Sequence, residues 1–311
     1  MQTIVAGSGA YQTRIAKPCV VTIGNFDGVH NGHKQLLDAT KQLATQQHVL
    51  SCVYTFEPSP RSLLASHVST PRIMSWQDKV ETLLEYGIDC VVVEEFSLPF
   101  AGRPADWFAR EILEKRLQAV SVVVGHDFRY GKARSGTVQS LQQTVPNVSV
   151  TQIPVFSQAT LVVSSSKIRE CIQNGDVELG NVMLGRPFYI KGTVVGGQQR
   201  GREIGFPTAN IHTNAELVPQ CGVYAAEIRI NGGSWLSSMV NIGMQPTFAG
   251  SHLQIEVHIF EFAEQIYGQE IVLRFYKRIR DEKKFLSVSQ LQQQLKHDKE
   301  SVLGFFVSIH T

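Results

Sequence analysis

CVVTIGNFDGVHNGH, residues 19–33, decides how the first half of this 311-residue chain is read. Cys19–Ile23 is an uninterrupted apolar, β-branched run, the composition of a strand buried on both faces. A turn containing Gly24, Gly28 and Gly32 follows, and beyond it Leu36, Leu37, Leu43 and Ala44 form an apolar stripe at helical spacing. A strand entering a helix through glycines brings exposed backbone N–H groups and a helix N-terminus to one point, an arrangement that attracts phosphate. His30 and His33 bracket Gly32. Imidazoles there can donate hydrogen bonds to oxyanions, while Gly32 lets a triphosphate approach the backbone. HxGH alone reads equally well as a tight turn with two solvated histidines; strand, glycines and helix in series favour the functional reading.

Outward from this stretch the same grammar repeats. Residues 48–54, 89–93 and 120–124 are further β-branched runs, and Trp76, Val80, Leu83 and Leu84 recur at helical spacing between them. Alternating strands and helices predict a parallel, doubly wound sheet whose ligands bind at the carboxyl ends of the strands. After Gly185, Arg186 and Pro187 the pattern changes: residues 188–195, 223–230, 234–242, 253–262 and 269–278 read as successive strands. Asn231, Gly232 and Gly233 form a hairpin turn between two of them. Strands in succession predict an antiparallel sandwich or barrel, and Val288, Leu291, Leu295, Val302 and Phe306 predict a helix docked on it. The expectation is therefore α/β plus all-β, with domains at 1–185 and 186–311.

Composition sets the outer bounds. With 43% hydrophobic and 18% charged residues the chain is globular, and 29 basic against 27 acidic residues leave a net charge of +2. The balance is 16 to 16 before residue 185 and 13 to 11 after it, so neither half carries the field that nucleic-acid binding needs. The five cysteines contain no CxxC pair and are odd in number, which argues against a disulfide framework or a zinc site and fits a reducing cytoplasm. No apolar run approaches a membrane span, and the first twenty residues lack an apolar signal region. Residues 1–26 lack acids and contain Arg14 and Lys17, a faint transit-peptide likeness that one basic pair cannot support.

Three further stretches carry candidate chemistry. In VSSSKIR, residues 163–169, a serine can cap the following helix, whereas Lys167 and Arg169 oppose the dipole of its first turn, as cations serving a ligand do. SxxK within it, with neither SDN nor KTG elsewhere, does not support a serine acyl enzyme. In GGQQRGREIGFPTAN, residues 196–210, Arg202 and Glu203 stand where a P-loop requires Lys and Ser, yet four glycines make a flexible phosphate cradle plausible. Thr208 and Asn210 offer hard oxygens of the kind Mg²⁺ prefers; the bland alternative is a long hairpin loop. In LQIEVHIF, Gln254, Glu256 and His258 share one strand face, and Glu256 by itself reads either as a general base or as a surface charge.

Taken together, these motifs resemble the bacterial bifunctional riboflavin kinase and FAD synthetase (FMN adenylyltransferase) family, from about Cys19 to Asp298. GNFDGVHNGH resembles its nucleotidyltransferase motif, TFEPSP (55–60) and GHDFRYG (125–131) its flavin-side segments, and SSSKIR its second phosphate motif. GFPTAN, GVYA (222–225), NIGMQPTF (241–248) and EVHIFEF resemble the kinase module. Tyr130 and Ser166 depart from an expected Phe and Thr, both keeping the aromatic or hydroxyl character.

The resemblance implies a Rossmann-like nucleotidyltransferase domain with a parallel sheet and an antiparallel β-barrel kinase domain with a C-terminal helix. It implies phosphorylation of riboflavin by ATP to FMN, then adenylylation of FMN to FAD with release of pyrophosphate, with Mg²⁺ as cofactor and ATP as co-substrate. On this basis His30, His33 and Arg169 act catalytically in the front site, and Glu256 accepts a proton in the back site. ATP would meet Gly24, Asn25, Phe26, Gly28, Gly32, Ser165 and Lys167 in front, and Gly196, Arg200, Gly201, Arg202 and Gly205 behind. Phe56, Pro58, Asp127 and Phe128 would hold flavin, and Thr208 and Asn210 the metal. The expected partners are riboflavin, FMN, FAD and ATP, with no nucleic acid or membrane, and a weak homo-oligomer. Another nucleotidyltransferase or a non-catalytic flavin or RNA sensor would share parts of this pattern; the PTAN barrel argues against the first, and the near-neutral charge and intact candidate ligands against the second.

Overall fold

A computed structural model describes residues 2–6, 15, 17–64, 70–154, 157–158, 161–197, 201, 204–247 and 250–310. The chain divides into two compact units, Met1–Ser165 and Ser166–Thr311.

The first unit is built on six parallel strands: β1 (Gln2–Ala6), β2 (Cys19–Ile23), β3 (Leu50–Glu57), β4 (Cys90–Glu95), β5 (Ala119–Gly125) and β6 (Ser149–Ile153). Their order is β1-β4-β3-β2-β5-β6, and every neighbouring pair is parallel. The chain thus winds from β2 through β3 to β4 in one direction and places β5 and β6 on the other side of β2. Between β2 and β5 the winding reverses, and a crevice opens there at the carboxyl ends of the strands. Helices α1 (Asn31–Gln47), α2 (Pro60–Leu64), α3 (Trp76–Glu85), α4 (Leu98–Ala101), α5 (Ala105–Trp107) and α6 (Val138–Thr144) fill the connections, with a π-helical segment at Phe108–Arg116.

The β-branched runs serve both faces. Val21, Tyr54 and Val92 pack with Phe108 and Leu113 on one side, while Val53 and Val91 pack with Leu37 and Leu83 on the other. An ion pair is sealed in this core. Glu94 accepts from the Tyr54 hydroxyl at 2.6 Å and from Arg116 at 2.5 Å, tying β3, β4 and the π-helical segment together. Burial raises its pKa, and the two donors oppose that shift.

The second unit closes six antiparallel strands into a barrel: β9 (Phe188–Val195), β10 (Ala209–His212), β11 (Gly222–Ile230), β12 (Trp235–Thr247), β13 (Gly250–Ile259) and β14 (Glu270–Arg280). The two-residue strands β7 (Ser157–Gln158) and β8 (Leu161–Val162) pair with each other in the first unit. β9 meets both β14 and β10, which completes the closure. The turn between β11 and β12 holds Asn231 and Gly232 at φ 45° and 75°, the left-handed pair a tight hairpin demands.

Helices α7 (Ser165–Gln173) and α8 (Val177–Leu184) lie before the predicted change of pattern at Gly185, yet α8 is bonded to the barrel. Its Asn181 donates to the Phe275 carbonyl at 2.8 Å and accepts from the Phe188 amide at 2.6 Å. Helix α9 (Val288–His310) lays Val302 and Phe306 on Val223, Ala225, Met239 and Phe260. Arg280 clamps it through three hydrogen bonds to Asp298, one at 2.7 Å and two at 3.0 Å, and Asp298 is 1% exposed. Asp298→Ala would strand the guanidinium and is expected to cost about 3–5 kcal/mol of stability in a denaturant titration.

Candidate functional site

Gly24 to His30 leaves β2 at the reversal of the sheet, and its backbone shape is unusual. Phe26 and Val29 have φ of 49° and 39°, and Gly28 has 83°. A bulky and a β-branched residue occupy that region only where the surroundings hold them. Here both side chains are anchors, 0% and 1% exposed, packed with Leu37, Leu83 and Val91. The Asp27 carboxylate accepts from the Ile73 amide at 3.0 Å, and the Asp27 carbonyl accepts from the Ser165 hydroxyl at 2.9 Å. Ser165, 138 positions away in the chain, is thereby brought to the loop. Phe26 is core, so what it can offer a nucleotide is its main chain.

The loop runs into α1 through a reciprocal cap. His30 Nδ1 accepts from the His33 amide, and His33 Nδ1 accepts from the His30 amide, each at 3.3 Å. The rings stack with centroids 3.6 Å apart and planes 14° from parallel. An Nδ1 that accepts carries no proton, so each neutral ring keeps its hydrogen on Nε2. Two Nε2–H donors thus share one helix N-terminus, where the dipole also favours an anion. Gly32 lies under this pair, and a Cβ there would sit 3.2 Å from the His30 ring.

Beside the loop is a cleft of about 800 Å³ lined by Ile23, Gly24, Phe56, Phe96, Phe100, Trp107, Phe108, Phe128 and Tyr130, among others. Phe128 stacks on Tyr130, with centroids at 5.5 Å and planes 17° apart. Flat aromatic walls and four arginines, Arg61, Arg103, Arg129 and Arg134, suit a planar ligand that carries negative charge. Phe56 and Phe128 line this cleft, whereas Pro58 and Asp127 are exposed and are not among its lining residues. Phe96, Phe100, Trp107 and Phe108 were not singled out from the sequence. Their density over thirteen positions was the available signal, but it reads equally as core.

Lys167 and Arg169 follow Ser165 on α7 and belong to the second unit. Lys167 pairs with Glu170 at 3.0 Å, and that bond raises its pKa; Arg169 is buried.

In the barrel, β13 places Glu256 between two asparagines, Asn210 on β10 and Asn241 on β12. Gln254 donates to Asn210 Oδ1 at 2.7 Å and to Glu256 Oε1 at 3.3 Å. Burial raises the Glu256 pKa, and a hydrogen bond from Asn241 partly offsets this. The carboxylate is half-buried and hydrogen-bonded in place, unlike a fully solvated surface charge. Strand alternation already puts Gln254 on the face of Glu256, whereas Asn241 becomes its neighbour only through strand register. Across the alternation Ile255, Val257 and Ile259 are buried.

The glycine stretch before β10 comes up against the proposed metal residues. A Cβ on Gly197 would collide with the Asn210 amide, and one on Gly201 would collide with the Phe206 carbonyl oxygen, with Thr208 Oγ1 3.4 Å away. Glycine is therefore required for the backbone to approach this closely. Gly196 and Gly205 have no atom within 4 Å of such a Cβ. Arg200 and Arg202 lie outside the described residues. Among the described residues no group of three His, Cys, Asp or Glu is placed to hold a metal ion. The donor set Thr208 Oγ1 and Asn210 Oδ1 fits Mg²⁺, which takes few protein oxygens and completes its shell with phosphates and water.

Comparison with known proteins gives two family matches, FAD synthetase over residues 12–167 and riboflavin kinase over 184–306. The bifunctional riboflavin kinase/FMN adenylyltransferase of Haemophilus influenzae is 36% identical over 297 residues, covering 95% of this chain and 96% of that protein. The protein of the same description from Bacillus subtilis is also 36% identical, covering 93% of each. A crystal structure of a protein described as a macrolide-efflux protein, from Streptococcus pneumoniae, superposes with a TM-score of 0.88 at 30% identity, covering 96% of this chain and 98% of that one.

Proposed function

The chain belongs to the bifunctional riboflavin kinase/FMN adenylyltransferase family and makes FMN from riboflavin, then FAD from FMN; we propose that its first unit carries the adenylyl transfer and its second the phosphorylation. The observation that carries the first assignment is the pair of reciprocally capped histidines where the parallel sheet reverses direction. Among the described residues no helix is long and apolar enough to cross a membrane.

In adenylyl transfer a phosphate oxygen of FMN attacks the α-phosphorus of ATP, and pyrophosphate leaves. The protein has little covalent work to do, and the rate comes from alignment and charge stabilisation. The Nε2–H groups of His30 and His33 donate to the phosphate oxygens, where negative charge grows. The loop around Gly24, Asn25 and Gly28 supplies main-chain donors, and Ser165 closes the site beside Asp27. Phe56 and Phe128 receive the isoalloxazine ring, and the arginines of the cleft favour the phosphorylated flavin over riboflavin. Lys167 and Arg169 are candidates for phosphate through the SSSKIR motif.

In the kinase reaction Glu256 takes the proton from the ribityl hydroxyl as its oxygen attacks the γ-phosphorus. Asn241 and Gln254 hold the carboxylate in place. The glycines from Gly196 to Gly205 cover the nucleotide, and Thr208 and Asn210 would hold Mg²⁺, which would neutralise charge on the phosphates.

The test is a time course of purified protein with riboflavin, ATP and Mg²⁺, resolved by chromatography. FMN should rise first and FAD should follow at its expense. FAD without intermediate FMN, or neither product, would refute this order.

A further inference from the structure

Lys79 is a buried cation of the first unit, separate from the side chains assigned to substrate. It lies on α3, is 5% exposed, and follows the Ser75 cap by one helical turn. Its Nζ donates to the Asn25 carbonyl at 3.1 Å, to Thr55 Oγ1 at 3.1 Å and to the Phe56 carbonyl at 3.3 Å. Thr55 Oγ1 in turn donates to the Asn25 carbonyl at 3.2 Å. These acceptors come from two elements. Asn25 opens the loop that ends in His30, whereas Thr55 and Phe56 form the carboxyl end of β3, where Phe56 lines the aromatic cleft.

We propose that Lys79 is a positioning residue for adenylyl transfer, its ammonium fixing the separation between the histidine loop and the Phe56 wall so that the two phosphates meet in line. The inference rests on the assignment of that loop to adenylyl transfer. An ammonium has three hydrogens, and here three acceptors take them. No aliphatic side chain can bridge two carbonyls in this way, and burying a cation is tolerated only where such bonds repay its lost hydration. A loop displaced by about 1 Å costs about 100-fold in rate when the chemistry depends on in-line approach.

Titration supplies an independent handle. Burial pulls the Lys79 pKa down to about 8; the carboxylates that face it, Glu57 from β3 and Asp27 from the loop, favour the charged form, and Arg72 opposes it. Above that pH the amine has two hydrogens for three acceptors, and one tie is lost. Wild-type FAD formation should therefore decline as pH rises through about 8.

The experiment compares wild type, Lys79→Met and Lys79→Arg, with FMN formation by the same molecules as an internal control of folding. Lys79→Met should lower kcat for FAD formation about 100-fold, shift KM for ATP and FMN by less than about threefold, and leave FMN formation unchanged. Lys79→Arg, charged at every accessible pH, should lose the alkaline decline. An unchanged kcat in Lys79→Met, a persisting decline near pH 8 in Lys79→Arg, or parallel loss of both activities in the two variants would overturn the proposal. Should His30→Ala in the same assay make FAD at the wild-type rate, the adenylyl-transfer reading itself fails. A failure confined to the Lys79 variants leaves that reading intact.

Discussion

His30→Ala is expected to lower FAD formation from FMN and ATP by about 10²–10³-fold while riboflavin phosphorylation continues at its ordinary rate. The size follows from removing one aligned donor at the place where charge develops. His30 has a second role that must be separated from this one, because its Nδ1 also caps α1. Losing a cap costs about 1 kcal/mol, and the stacked His33 ring loses its neighbour as well. His30→Asn resolves the two effects: asparagine is a good N-cap and restores the helix start, but it has no imidazole N–H to offer the phosphate. The expected result is an alanine variant with a lowered melting temperature and lost activity, and an asparagine variant with regained melting temperature and activity still lost. Recovery of FAD formation in His30→Asn would reduce His30 to a structural cap.

The second large effect lies in the barrel. Glu256→Gln keeps the shape of the side chain and removes its capacity to accept a proton, so FMN formation should fall by about 10²–10⁴-fold. FAD formation from supplied FMN should be unaffected. The wild-type pH profile gives the same answer by another route. Only the ionised carboxylate is a base, so the rate is lost as pH falls through the Glu256 pKa, and burial places that pKa above the ordinary glutamate value of 4.5. The acid limb of FMN formation should accordingly lie at higher pH than for a solvated glutamate. If Glu256→Gln retained the wild-type rate and its acid limb, Glu256 would not be the base.

Much of the fold was legible because periodicity reports burial directly. Cys19–Ile23 and Phe188–Val195 are strands over the residues predicted, and the hairpin at Asn231–Gly233 and the helix carrying Val302 and Phe306 lie where glycine placement and apolar spacing put them. Strand β10 was not read, because four residues beside a glycine-rich stretch carry too little pattern. Helices α7 and α8 show the limit more sharply. Their own sequences are ordinary amphipathic stretches, and contacts between distant positions, such as the hydrogen bond from Asn181 to Phe275, join the latter to the barrel.

By itself, the amino-acid order determined the alternation of strands and helices in front, the run of strands behind, and the motifs GNFDGVHNGH, GFPTAN and EVHIFEF in their succession. These are local properties, written in side-chain periodicity and in the φ angles that glycine permits. The tertiary structure alone decided that Ser165 reaches Asp27, that Glu256 sits between Asn210 and Asn241, and that Lys79 bridges Asn25 and Phe56. Such pairings depend on which strands become neighbours and in which register. That choice is made by burying the whole apolar surface at once, so no single stretch of sequence contains it.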